Sequence, residues 1–211
     1  MKTRVWFLLL VTALTVCTAL SFAQEQAPAP VFKDGDTWKF NRIVKGRASS
    51  SERFTGTYDL VFSQGQIKVY EINDDKRTEM DVKSEGPGSG LLSLIGIVEE
   101  RPILKFPLSV GQKWNYEFLN RPAGAREESK YFVEIAVTGI EEVTTRAGSF
   151  KAFKLIRNQQ RRAAGRQVRW ISTTTTYFYS SETKSIVKLI SVSDEGSASQ
   201  ETELLKYTPG N

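Results

Sequence analysis

Pro107-Leu108-Ser109-Val110-Gly111-Gln112-Lys113-Trp114-Asn115-Tyr116-Glu117-Phe118 is the stretch that decides the fold. A proline and a glycine punctuate a turn, and Trp114, Tyr116 and Phe118 then alternate with polar residues. Period-2 alternation with aromatics on one side is the pattern of a half-buried β-strand. An earlier stretch repeats it: Gly35-Asp36-Thr37-Trp38-Lys39-Phe40, again Gly-x-x-Trp-x-aromatic. The two tryptophans lie 76 positions apart, so each is read as opening one half of a single domain.

Working outward, residues 1–23 read as a signal peptide. Lys2 and Arg4 make a positive start, Val5 to Leu20 is apolar, and Ser21-Phe22-Ala23 places small residues where a signal peptidase reads. The apolar run is shorter than the roughly 20 residues of a spanning helix, which argues against a permanent anchor. A lipoprotein attached through Cys17 is disfavoured, because Val16 stands where a small residue is expected. Cys17 is the sole cysteine, so the exported chain has none and no disulfide; a bacterial periplasm or cell surface fits. Removing Lys2 and Arg4 from 29 basic residues leaves 27 against 24 acidic, a net charge of +3. That is mildly basic and calls for no nucleic-acid partner.

Residues 24–33 are rich in Pro and Ala and read as an extended leader to a β domain at 34–208. Its halves are 34–84 and 107–208, joined by 85–106. Strands are expected at Thr37–Lys45, Phe54–Phe62, Gln66–Ile72 and Arg77–Lys83, the last two joined by a turn at Asn73–Lys76. Six more follow at Gln112–Leu119, Lys130–Thr144, Phe150–Arg157, Gln167–Tyr179, Lys184–Ser193 and Gln200–Tyr207. Gly139 marks a bulge or bend in the second of these. No transmembrane segment remains after signal cleavage, and no convincing helix is visible. The apolar run Leu91 to Val98 has an ambiguous period: it closes the core as a strand or short helix, or forms an apolar lip over a ligand cavity. The fold class is therefore all-β: an antiparallel curved sheet of about ten strands, forming a barrel or sandwich. An outer-membrane barrel is set aside, since the chain does not end in a strand with a terminal aromatic and charges lie where lipid would touch.

Residues 107–207 resemble a group of exported bacterial proteins carrying an uncharacterised β-rich domain. The shared features are Val110-Gly111-x-x-Trp114, then Val137-Thr138-Gly139-x-Glu141 leading into Ala147-Gly148-Ser149-Phe150. Tyr177-Phe178-Tyr179-Ser180-Ser181-Glu182 before Ile186-Val187-Lys188 completes them. The chain departs in having Arg146 where Pro is common and Phe178 where Trp is usual. The resemblance implies a β fold and an envelope location; it brings no activity and no site residues.

The chemistry is restricted. The chain has no histidine, which with the missing cysteine excludes His-assisted serine or cysteine nucleophiles and zinc sites of the usual kind. No phosphate-binding glycine loop is present, and no metal or cofactor is expected. Asp34, Asp36, Asp74 and Asp75 sit in turns, where Asp bonds its own backbone. An enzyme built on carboxylates or lysine is the minor alternative.

Two candidate sites remain. Trp38, Phe40, Trp114, Tyr116, Phe118, Tyr177 and Tyr179 form either plain core or the lining of a pocket for a lipid or other apolar molecule. Residues 157–169 hold five arginines in thirteen residues, read as a hairpin tip at 158–166. In an up-and-down meander the tips near 120–128, 158–166 and 194–198 share one rim. That rim gathers Arg121, Arg126, Arg161, Arg162 and Arg166 beside Glu127, Glu128, Asp194 and Glu195. It is either a solvated, self-cancelling rim or a docking surface for an anionic envelope component. Trp170 is an interfacial anchor in the second reading and core in the first. The expected function is thus a non-enzymatic envelope protein that binds an apolar or amphipathic ligand, or docks through the arginine rim.

Overall fold

The computed structural model describes residues 25–46, 52–74, 76–81, 89–96, 101–121, 128–163, 169–194 and 198–211. The signal peptide with Cys17, Asp75, the linker at 85–88, Ile97, Val98, Arg126, Glu127, Arg166 and Glu195 lie outside them. In chain order come β1 (Gln26–Ala27), β2 (Thr37–Gly46), β3 (Glu52–Ser63), β4 (Gln66–Asn73) and β5 (Lys76–Glu79). A single helical turn α1 (Ser89–Leu92) runs into a 3₁₀ turn (Ser93–Ile95). Then follow β6 (Leu108–Ser109), β7 (Lys113–Asn120), β8 (Ser129–Thr145), β9 (Gly148–Ala163), β10 (Arg169–Ser180), β11 (Ser185–Ser193) and β12 (Ala198–Thr208).

Ten of these strands make one antiparallel sheet in the order β5-β4-β3-β2-β12-β11-β10-β9-β8-β7; β1 pairs with β6 apart from it. The expected ten strands are the ten of the sheet. The sheet is open, with β5 and β7 at its edges, so the barrel alternative is not realised. The first Gly-x-x-Trp turn starts a strand in the middle of the sheet and the second starts an edge strand. Strand β9 runs six residues past the expected end, so Arg161 and Arg162 lie within a strand rather than a loop. The bulge expected at Gly139 is present as a register shift between Val137 and Gly139.

Registers sort the side chains onto two faces. The inner face carries Trp38 and Phe40 of β2, opposite Leu60 and Tyr58 of β3. It continues through Leu204 of β12 and through Tyr177, paired with both Leu189 of β11 and Leu155 of β9. It ends on Tyr131, Val133 and Ile135 of β8, facing Phe118, Tyr116 and Trp114 of β7. The β8–β9 hairpin extends past β10 and folds back onto β12, where the Ala147 N–H donates to the Leu204 carbonyl and Arg146 pairs with Glu203 at 3.0 Å.

The apolar run closes this core as helix, not strand: Leu91, Leu94 and Ile95 are buried, joined by Leu104, Leu108 and Ala27. Each buried leucine or isoleucine contributes about 1.5–3 kcal/mol by leaving water. Residues 25–33 dock on the domain, with Phe32 edge-on to Trp38 at 5.5 Å and Glu25 paired to Lys151.

Candidate functional site

The aromatic set divides in two. Trp38 and Phe40 are fully buried, Tyr177 and Tyr179 nearly so. The Trp38 indole donates to the Thr183 carbonyl at 2.6 Å, and Phe106 packs edge-on to Tyr179. Burial raises the Tyr179 hydroxyl pKa far above its ordinary value. Trp114, Tyr116 and Phe118 are half-buried on β7. The Trp114 indole donates to the Pro102 carbonyl at 3.0 Å, Phe118 stacks on Tyr131 at 4.6 Å, and Arg101 lies 4.1 Å over the Phe118 ring. The structure thus brings the β7 aromatics together as a wall and keeps Trp38 and Phe40 apart, deep in the core.

Beside that wall the inner face turns polar. Across the sheet run Arg157 of β9, Thr175 of β10, Ser191 of β11 and Gln200 of β12. Thr175 and Ser191 share a hydrogen bond at 2.9 Å, and Arg42 of β2 donates to Gln200 at 2.8 Å. Arg157 donates to Gln159 and lies close enough to the Tyr177 hydroxyl to act on its titration. Burial holds the Tyr177 pKa up, partly offset by Arg157. The Nε atoms of Arg42 and Arg157 are both buried and have no partner among the described residues. Nor does either arginine have an ion pair there. By register, the carboxylates nearest Arg157 on β7, β8 and β12, Glu117, Glu134, Glu201 and Glu203, point outward; Glu142 shares the parity of Arg157 but pairs with Lys151 near the far end of the hairpin. Glu71 of β4 shares the inner face near Arg42; it and burial raise the Tyr58 hydroxyl pKa, which Arg42 opposes.

These arginines were missed by the reading from sequence, although a signal existed. Arg42 shares parity with Trp38 and Phe40, and Arg157 shares it with Leu155, so each falls on the core side of its strand.

The rim sits at the opposite end from the β8–β9 turn. There Leu119, Lys130, Arg162 and Trp170 form one row across β7, β8, β9 and β10 on the outer face. Leu119 is 58% exposed and Trp170 51%. Phe132 lies 5.6 Å from the Trp170 ring, and Lys130 lies 4.6 Å over Phe132 while pairing with Glu117 at 2.6 Å. Arg121 and Arg162 are exposed and Arg161 is half-buried, its parity turning it inward beside Tyr131. A shallow groove of about 460 Å³ runs beneath the row, between Phe132 and Trp170, with Glu117 and Glu134 on its border.

One titratable cluster lies elsewhere. Asp36 is fully buried and accepts from Lys184 at 2.7 Å, Tyr207 at 2.8 Å, and the Lys33 and Gly210 backbone N–H groups. Burial alone would raise this carboxyl, but the four donors outweigh it and hold its pKa below the ordinary value. With its lone pairs engaged, Asp36 is a tie between the chain ends rather than a base. A Cβ on Gly210 would meet Asp34 backbone oxygen at 2.4 Å, so only glycine lets the C-terminus pass. Among the described residues no group of acidic side chains could hold a metal ion, and no helix is long and apolar enough to cross a membrane.

No family model matches the chain, and no curated protein does. Among solved structures, the hypothetical lipoprotein YmcC from Escherichia coli K12 is similar at 12% identity, with 82% of this chain and 85% of that one covered and a TM-score of 0.42. A Bacteroides fragilis protein described as exported, with a YmcC-like fold, gives 10% identity, coverage of 88% and 99%, and a TM-score of 0.36. A Parabacteroides distasonis protein described as a lipoprotein gives 12% identity, coverage of 88% and 100%, and a TM-score of 0.39.

Proposed function

We propose that this is an exported, non-enzymatic envelope protein that docks on an anionic lipid surface with the rim end of its sheet. The observation that supports it is the outer-face row Leu119, Lys130, Arg162 and Trp170, in which an exposed leucine and tryptophan flank two cations. Tryptophan and leucine beside lysine and arginine are what an interfacial anchor needs: the apolar groups enter the headgroup boundary while the cations meet phosphates. Charge placement agrees. Among the described side chains at this end, Lys45, Arg121, Lys130, Arg161 and Arg162 are basic and only Glu128 and Asp194 are acidic. Glu117 is spent on Lys130 and does not cancel Arg162.

The test is flotation of the purified protein with phosphatidylglycerol vesicles and, separately, phosphatidylcholine vesicles. Binding to the first and not the second is expected. Replacing Trp170 and Leu119 together by alanine should weaken it about tenfold, since their apolar area no longer enters the interface. Equal binding of the variant and the parent would overturn the docking role of the row.

A further inference from the structure

We infer that the inner face beside β9 is a binding site for an amphipathic anion: a carboxylate or phosphate headgroup taken by Arg157, with an apolar tail against Tyr116 and Phe118. This stands independently of membrane docking, because the docking row is on the other face of the same strands.

Unpaired cations carry the inference. A guanidinium withdrawn from water without a counter-charge is strongly disfavoured, and proteins pair such groups or leave them outside. Here the reverse sorting holds. Arg157 and Arg161, two residues either side of Gln159, point inward on β9, while the carboxylates nearest them on β7, β8 and β12, Glu117, Glu134, Glu201 and Glu203, point outward. Arg101 adds a third cation above the same wall, on the ring of Phe118 rather than on a carboxylate. Within reach of Arg157 the described partners are neutral: Gln159 and Tyr177. Its buried Nε–H is a charge-bearing donor with nothing to bond among the described residues. An anionic headgroup supplies what is missing, because a planar guanidinium takes a carboxylate or phosphate through two parallel hydrogen bonds.

The tail follows from the register. Arg157 pairs with Ile135, which pairs with Trp114; Gln159 pairs with Val133, which pairs with Tyr116. The aromatic wall is therefore two strand spacings, about 10 Å, from the cations. Val133 and Ile135 are covered, whereas Tyr116 and Phe118 are half-buried and offer ring surface to an acyl chain. A purely inorganic anion would leave that surface unused.

The experiment uses the purified, delipidated protein and a dansyl-labelled long-chain fatty acid. Competitors are the unlabelled fatty acid, a lysophosphatidic acid of equal chain length and the corresponding fatty alcohol. Saturable binding is expected, displaced by the acid or the lysophosphatidic acid and at least about tenfold less well by the alcohol. Whichever anion displaces better identifies the headgroup. Arg157→Met should weaken the probe about tenfold or more and also raise the melting temperature of the ligand-free protein, since it removes the buried, unpartnered Nε–H of a half-buried guanidinium. Lys188→Gln, on the outer face and outside both proposed surfaces, should leave probe binding unchanged. Displacement by the alcohol as good as by the acid, absence of saturable binding, or an Arg157→Met protein that keeps full probe affinity would each overturn the site. A fall in melting temperature for ligand-free Arg157→Met would do so too, by showing that the protein itself balances this charge.

Discussion

Asp36 shows how far a single residue is legible. Its place in a Gly-containing turn announces a side chain that bonds its own backbone, and the Lys33 N–H does donate to it. Lys184 and Tyr207 are 148 and 171 positions away, and nothing local foretells them. The folded carboxyl has a pKa below its unfolded value near 3.9. Its contribution is therefore present above that value and lost as pH falls through the folded pKa. Asp36→Asn should cost about 2–3 kcal/mol at pH 7, the worth of charged hydrogen bonds. Urea unfolding of parent and variant should show this gap at pH 7 and a smaller one at pH 3. A gap of the same size at both would mean that the carboxylate charge is not its source. Arg42 and Arg157 were legible in principle, through parity alone. They escaped because arginine on a core-side position contradicts the usual sorting, and only pairing across several strands shows that the described acids nearest Arg157 turn to the other face.

At the scale of elements, alternation located all ten strands of the sheet, since one half-buried face leaves a period of two. Boundaries failed where side chains were polar. Asn158-Gln159-Gln160-Arg161-Arg162 has little intrinsic strand preference, yet β8 and β10 pair it from both sides. The same local blindness applied to Leu91 to Val98, whose helical part is too short to show a helical period. Its burial distinguishes a plug from a lip. Leu94→Ala and Ile95→Ala should each cost about 2–4 kcal/mol, as for large-to-small changes in a filled core, measured by denaturant unfolding. Losses under about 0.5 kcal/mol would mean that the segment lies on a surface instead.

For the whole molecule, one open sheet separates three environments. The end near the β8–β9 turn is closed by the fold-back and the 89–95 plug; the inner face toward the rim is polar and cationic; the outer face at the rim exposes Leu119 and Trp170. Strand alternation puts the ends of β7, β9 and β11 beside the starts of β8, β10 and β12, while positions 158–163, expected in a tip, are strand. It did not foretell that Trp170 faces water, because burial of one tryptophan depends on which face its neighbours cover. Docking through this end is electrostatic as well as apolar, with each cation near an anionic surface worth about 1 kcal/mol. The most direct measurement is flotation of an Arg121→Glu, Arg162→Glu double variant with phosphatidylglycerol vesicles, in low and in physiological salt. Docking by the rim predicts loss of binding by about tenfold or more, largest in low salt, with unfolding stability unchanged. Binding equal to the parent's in both salts would contradict it.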